Sequence, residues 1–179
     1  MVKNLQNYLL LLLVLLNFCT KPFSQKLEIG EIYNPNFTEY KIEDIDQIYL
    51  ILTRMFNAIE KKDLSLIKDF ISEEKGIYVD LKAWKSRKDF LNEIQQPDSY
   101  INNVYLHTDS LIKETNDTTQ ISLYDLIKES KKIKADFYIL TDRDCEVKLI
   151  ILDNPKESYR FNNPYFIKIK DKWYIYRLF

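Results

Sequence analysis

The spacing of apolar residues changes period along this chain, and that change limits the fold to one class. Ile42, Ile45, Ile48, Tyr49, Leu52, Met55, Phe56 and Ile59 recur at intervals of three and four. They fall on one face of a helix about 18 residues long. From Asp136 onward the period is two. Segments 137–140, 145–152, 159–161, 165–170 and 173–179 read as strands, separated by Thr141-Asp142-Arg143-Asp144, Asn154-Pro155, Asn162-Asn163-Pro164 and Asp171-Lys172. Consecutive strands joined by turns this short run antiparallel. Helices first and a sheet afterwards predict an α+β domain, an N-terminal helical pair packed on a curved, mainly antiparallel sheet.

Local signals fill in the rest. Asp63 stands at an N-cap position, so Leu64, Ile67, Phe70 and Ile71 form a second, shorter helix after a tight break at residues 61–63. Gly76 ends that unit and 77–81 reads as a strand. Ser86-Arg87-Lys88-Asp89 has the spacing of a capping box, before a short helix that buries Phe90, Leu91 and Ile94 and stops at Pro97. Residues 100–107 are expected as a strand. Ser122-Leu123-Tyr124-Asp125 repeats the capping spacing and opens a helix with Leu123, Leu126, Ile127 and Ile133 inward. A two-residue loop at Asp171-Lys172 pairs Lys170 with Trp173 and turns Ile167, Ile169, Tyr174, Tyr176 and Leu178 to the core. A longer loop with a shifted register is the alternative.

This order of elements resembles that of the NTF2-like family. Met55-Phe56-Asn57-Ala58-Ile59-Glu60-Lys61-Lys62-Asp63-Leu64 is similar to the end of that family's first helix, and Asp171-Lys172-Trp173-Tyr174-Ile175 to its last strand. The resemblance implies a cone-shaped half-barrel with a pocket between helices and sheet. Family members range from isomerases and dehydratases to non-catalytic binding modules, so the fold does not choose a function.

The first 24 residues read as an address. Lys3 precedes an apolar run over 8–16, and Cys19 follows, the order of a signal peptide. The run is well short of the roughly 20 apolar residues that span a bilayer. Leu16-Asn17-Phe18-Cys19 resembles a bacterial lipobox, which implies lipidation at Cys19. Cleavage after Ser24 without lipid, or an uncleaved signal, are the other routes. Residues 25–40 are expected as an extended lead-in and 41–179 as one α+β domain. The protein is then exported, either as a membrane-anchored lipoprotein or in periplasmic or secreted form. Cys19 and Cys145 are the only cysteines, so a mature lipoprotein has no disulfide framework.

Several chemistries are excluded by composition. A formal charge of -1 leaves no basic excess for a phosphate backbone, so nucleic acid is not an expected partner. Gly30 and Gly76 are the only glycines, too few for a P-loop or a dinucleotide fingerprint, and no cofactor is expected. One His rules out zinc sites built from several imidazoles. Asp142, Asp144 and Glu146 read better as a solvated hairpin tip than as a calcium loop, since Arg143 lies among them and no EF-hand Gly or distal Glu follows. No metal site is expected.

The candidate catalytic residues are Asp80 and His107. Asp80 lies in an apolar strand and Asp136 at the start of another, positions where an apolar pocket raises a carboxyl pKa. His107 is a base if Asp109 orients it, or half of a dyad with Cys145. The simpler readings are a turn Asp, a turn His and a core Cys. Lys128, Lys131, Lys132 and Lys134 form a basic cluster that suits anionic lipid headgroups, or simply the wet face of a helix. Trp84 and Trp173 are stacking residues or core lids. Thirteen tyrosines suggest a sticky aromatic surface or an AT-rich genome. The expected function is an exported bacterial envelope protein acting as a non-catalytic binding or interaction module. Its partners would be the membrane, through an N-terminal lipid, and a protein or small ligand. The alternative is a small-molecule pocket enzyme, isomerase- or dehydratase-like, using Asp80 or His107.

Overall fold

A computed structural model describes residues 22–36, 39–81 and 83–179. The segment expected as a signal peptide, up to residue 21, and Cys19 with it, lie outside the described residues. The chain opens with a single helical turn, α1 (Phe23–Lys26), and passes directly into strand β1 (Leu27–Tyr33). The long helix α2 (Ile42–Glu60) is followed by a 3-10 helix (Leu64–Phe70) and two very short strands, β2 (Ile77–Tyr78) and β3 (Trp84–Lys85). Four short helices come next: α3 (Arg87–Ile94), α4 (Tyr100–Leu106), α5 (Thr108–Thr115) and α6 (Leu123–Glu129). Strands β4 (Ile133–Thr141) and β5 (Asp144–Ile151), a second 3-10 helix (Pro155–Arg160), and strands β6 (Tyr165–Ile169) and β7 (Lys172–Arg177) complete the chain.

The seven strands form one open sheet in the order β1-β4-β5-β6-β7-β2-β3. β4 to β7 are an antiparallel meander, as the short turns predict. β1 joins β4 and β2 joins β7 in parallel. The fold is α+β. Ile133, Ala135, Phe137 and Ile139 of β4 and Cys145, Val147, Leu149 and Ile151 of β5 are buried, and Phe166, Trp173 and Ile175 continue that layer. α2 covers it with Ile45, Ile48, Leu52, Met55, Phe56 and Ile59, all buried. The expected breaks and caps are present. Lys62 takes a left-handed φ of 52° after α2, and Asp63 Oδ1 accepts from the Ser65 N–H at 3.0 Å. Ser86 and Ser122 accept from the N–H groups of Asp89 and Asp125.

Several elements differ from expectation. Residues 100–107 are mainly helix α4, not a strand. Ser99 caps it, and the Asn102 side chain donates to the Ile94 and Gln96 carbonyls at 3.0 and 2.8 Å, so its amide supports a helix packed against the preceding one. Residues 159–161 belong to the second 3-10 helix and its cap, where Arg160 pairs with Glu157 one turn away. The segment expected as a lead-in contains β1, an edge strand of the sheet. Ile133 does not extend the last helix, which ends at Glu129, but begins β4.

β1 depends on one glycine. Its register with β4 shifts between Ile29 and Ile32, and there the Glu31 N–H donates to Asp136 Oδ1 at 2.9 Å. A Cβ on Gly30 would lie 2.0 Å from that oxygen. Asp136 is 3% exposed and also pairs with Lys134 at 3.2 Å, so this candidate pocket acid holds a β-bulge together.

The last hairpin faces the other way from the expectation. Its loop is Lys170-Asp171, with φ of 48° and 63°, the left-handed pair that a two-residue I′ loop requires. Lys168 therefore pairs with Trp173, and Phe166 with Ile175. Phe166, Trp173 and Ile175 face the core, and Tyr174 and Tyr176 do not. Asp44, in the first turn of α2, explains how a lysine shares the buried face. Its Oδ1 accepts from Trp173 Nε1 at 2.8 Å and from Lys168 Nζ at 2.7 Å. The other oxygen accepts from the Lys41 N–H at 3.4 Å. The carboxylate is 5% exposed. Burial alone would raise its pKa, but Lys168, Trp173 and Lys41 together outweigh burial and hold it below the ordinary 3.8.

Two outcomes follow for stability. Gly30→Ala lowers the urea midpoint, with a cost of about 1–3 kcal/mol for overpacking against Asp136. Asp44→Ala costs about 3–5 kcal/mol, because it strands the Lys168 ammonium and the Trp173 N–H. Since the folded pKa of Asp44 is depressed, its contribution is complete above the unfolded value of 3.8 and is lost as pH falls through the lower folded value. Asp44→Asn removes that part of the acid limb in denaturation curves followed against pH.

Candidate functional site

The alternation that buries one side of the sheet puts six of the thirteen tyrosines on the other. Tyr33, Tyr78, Tyr138, Tyr165, Tyr174 and Tyr176 are half-buried or exposed there. Tyr33 and Tyr138 stack across β1 and β4 with ring centroids 4.6 Å apart. Tyr78, Tyr165 and Tyr176 surround a depression of about 600 Å³, lined also by Asp144, Ile167 and Arg177 among others.

A bulge assembles this depression. Phe166 pairs with Ile175, yet Tyr165 pairs with Arg177, so Tyr176 and Arg177 both stand opposite Tyr165. Tyr176 meets Tyr78 edge to face at 5.4 Å and lies 6.2 Å from Tyr165. The Arg177 guanidinium sits 5.6 Å from the Tyr165 ring centre. It donates to Glu146 Oε1 at 3.0 Å and to the Asn163 carbonyl at 2.8 Å. Asn163 Nδ2 donates to the same Glu146 oxygen at 2.8 Å. Burial first, and the Asp144 carboxylate second, raise the pKa of Tyr165, which keeps its phenol protonated as a donor. The site offers ring faces, phenol hydroxyls and a guanidinium held in place by its own partners. Such groups bind by stacking and hydrogen bonding.

The residues singled out from sequence are dispersed. Asp80 closes the β2–β3 turn: Oδ1 accepts from the Ala83 N–H at 2.7 Å and Oδ2 from the Tyr100 hydroxyl at 3.1 Å. His107 joins α4 to α5, its N–H donating to the Asn103 carbonyl at 3.2 Å. It lines a separate depression with Lys62, Asp63 and Asn102 that does not include Asp80. Cys145 is fully buried in β5, and burial pushes its thiol up to about 12. The hairpin-tip acids diverge, Asp144 accepting from Thr141 at 2.7 Å, Glu146 pairing with Arg177 and Asp142 with Arg143. Among the described residues no group of acids, His and Cys is placed to hold a metal ion. Trp84 is half exposed and donates to the Lys75 carbonyl at 2.9 Å, while Trp173 is the buried partner of Asp44.

The tyrosine depression was not found from sequence, because its residues come from four strands and a bulge. The one available signal was the run Trp173-Tyr174-Ile175-Tyr176, whose alternation offers two aromatic faces. A thiol this buried and this weakly acidic stays unmodified by iodoacetamide in the native protein and reacts on unfolding, as read by peptide mapping at Cys145. Rapid native labelling would contradict its place in the core.

In comparison with known proteins, no family model matches this chain, and neither a curated protein nor a solved structure is significantly similar to it.

Proposed function

We propose that this protein is an exported bacterial envelope protein, anchored through a lipid on Cys19, that acts as a binding module through the tyrosine-bearing face of its sheet. The observation that carries the binding role is the depression bounded by Tyr78, Tyr165 and Tyr176, with Arg177 fixed beside it. Tyrosine brings large contact area at low conformational cost, and for that reason it is enriched where proteins bind partners. Export and anchoring rest on the sequence of residues 1–24. A finer fold reading belongs with this one. A long amphipathic helix on a mainly antiparallel sheet that ends in Lys172-Trp173-Tyr174-Ile175-Tyr176 supports an NTF2-like half-barrel. Neither Asp80 nor His107, the candidates of the pocket-enzyme alternative, lines the tyrosine depression: Asp80 closes a turn and His107 lines a different depression.

Photo-crosslinking in intact cells tests the proposal. Benzoylphenylalanine at Tyr174 or Tyr176 should give a discrete adduct, and the same residue at Tyr159, exposed on the second 3-10 helix, should give none. Equal capture at all three positions, or none at the sheet face, overturns the assignment of the working surface.

A further inference from the structure

The start of the described chain is fastened to the domain. Phe23 is buried, its ring 5.5 Å from that of Tyr124. Lys26 Nζ donates to the Ile127 and Lys128 carbonyls at 3.0 and 2.7 Å, satisfying open groups at the C-terminal end of α6. Beside this junction runs a groove of about 760 Å³. Phe23, Tyr124 and Leu152 give it apolar walls, and Lys128, Lys131 and Lys132 stand exposed at its rim. Lys62 reaches across from the end of α2 to lie 4.2 Å from the Tyr124 ring centre.

Lys26, Lys62, Lys128, Lys131 and Lys132 stand around the groove against Glu28, Glu60, Glu129 and Asp153, which leaves a small positive excess. Among the described residues, Lys132 alone of Lys62, Lys128, Lys131 and Lys132 has a carboxylate partner, Glu28 at 3.2 Å. Asp153 also lines the groove; it accepts from the backbone N–H groups of Lys131 and Lys132 at 3.0 and 3.4 Å and keeps its charge close to Lys131. Glu60 and Glu129 temper the charge without pairing with the rim.

Cys19 is four residues before Phe23. A fully extended chain covers about 3.6 Å per residue, so a lipid on Cys19 would keep the groove within about 14 Å of its attachment point. That is the range in which an anionic leaflet attracts basic side chains, since the Debye length is about 8 Å at physiological salt. We propose that this groove is the membrane-facing surface of the domain, its lysine rim docking on the phosphates of anionic phospholipids while the Phe23–Tyr124 edge rests at headgroup level. The inference rests on the proposed lipidation of Cys19. It also assigns an orientation. β1 and β4 lie next to the groove, and β2 is five strand positions from β1, about 24 Å at about 4.8 Å per strand. The depression by Tyr78 and Tyr176 is then held off the membrane, open to a partner.

The test uses the full chain purified from its own membranes and placed in vesicles of phosphatidylcholine, with or without phosphatidylglycerol. Acetylation rates are read by mass spectrometry at Lys62, Lys128 and Lys131, with exposed Lys148 and Lys156 as controls. Phosphatidylglycerol should slow the three groove lysines about fivefold, high salt or detergent should restore them, and the controls should not change. Equal rates on a chain whose Cys19 peptide carries a lipid overturn the docking surface and leave the anchoring intact. Protected lysines on a chain without that lipid support the headgroup contact and overturn the anchoring. Absence of both lipid and protection overturns both.

Discussion

The buried carboxylate of Asp44 ties the long helix to the last hairpin and sets which face of that hairpin is inward. It joins the first turn of α2 to Lys168 and Trp173, 124 and 129 residues away in sequence. A buried ion pair adds little net stability over an apolar replacement, but breaking one side of it is costly, so its value lies in specifying one arrangement. Here it specifies a face. With Lys168 neutralised against Asp44, Trp173 enters the core with Phe166 and Ile175, and Tyr174 and Tyr176 point the other way. Reversing the strand would bury the tyrosines and expose Trp173.

The site is therefore a consequence of the core. The inward set on β7 ends at Ile175, and the bulge that follows places Tyr176 and Arg177 together opposite Tyr165. Tyr78 reaches the same spot because the short strand β2 runs parallel to β7 and pairs Tyr78 with Arg177. A surface built this way is rigid, since each residue is fixed by strand pairing and Arg177 is bound to Glu146 and Asn163. Rigid aromatic surfaces lose little entropy on binding. At the opposite edge of the sheet, α1 and the end of α6 set lysines around an aromatic edge close to the start of the described chain. The two surfaces divide the proposed work between attachment and recognition.

Local patterns were legible wherever one residue type decides one local geometry. The period of α2, the break at Lys62, the caps at Asp63, Ser86 and Ser122, and the meander from β4 to β7 all follow from such rules. What failed depended on contacts distant in sequence. The helix at Tyr100–Leu106 is supported by an Asn102 amide bound to carbonyls of the preceding turn, which looks like strand-breaking polarity when read alone. β1 exists because Gly30 lets Asp136 approach the chain, and nothing near Gly30 announces it. On the last hairpin Lys168 marks a wet face by composition, whereas Asp44 partners it on the buried side, and the bulge carries Arg177 to the tyrosine side, where Glu146 holds it. The tyrosines were visible as a count, and only strand pairing gathers six of them on one side.

The final hairpin buries Trp173 and presents its tyrosines outward. Hydroxyl-radical footprinting of the native protein, read residue by residue by mass spectrometry, tests it most directly. Oxidation is expected at Tyr174, Tyr176 and Tyr78, with Trp173 protected to the level of buried Phe166 and half-exposed Trp84 modified readily. Oxidation of Trp173 with protection of Tyr174 and Tyr176 would mean that the opposite face of the strand is inward. That result would contradict both the Asp44 junction and the binding surface derived from it.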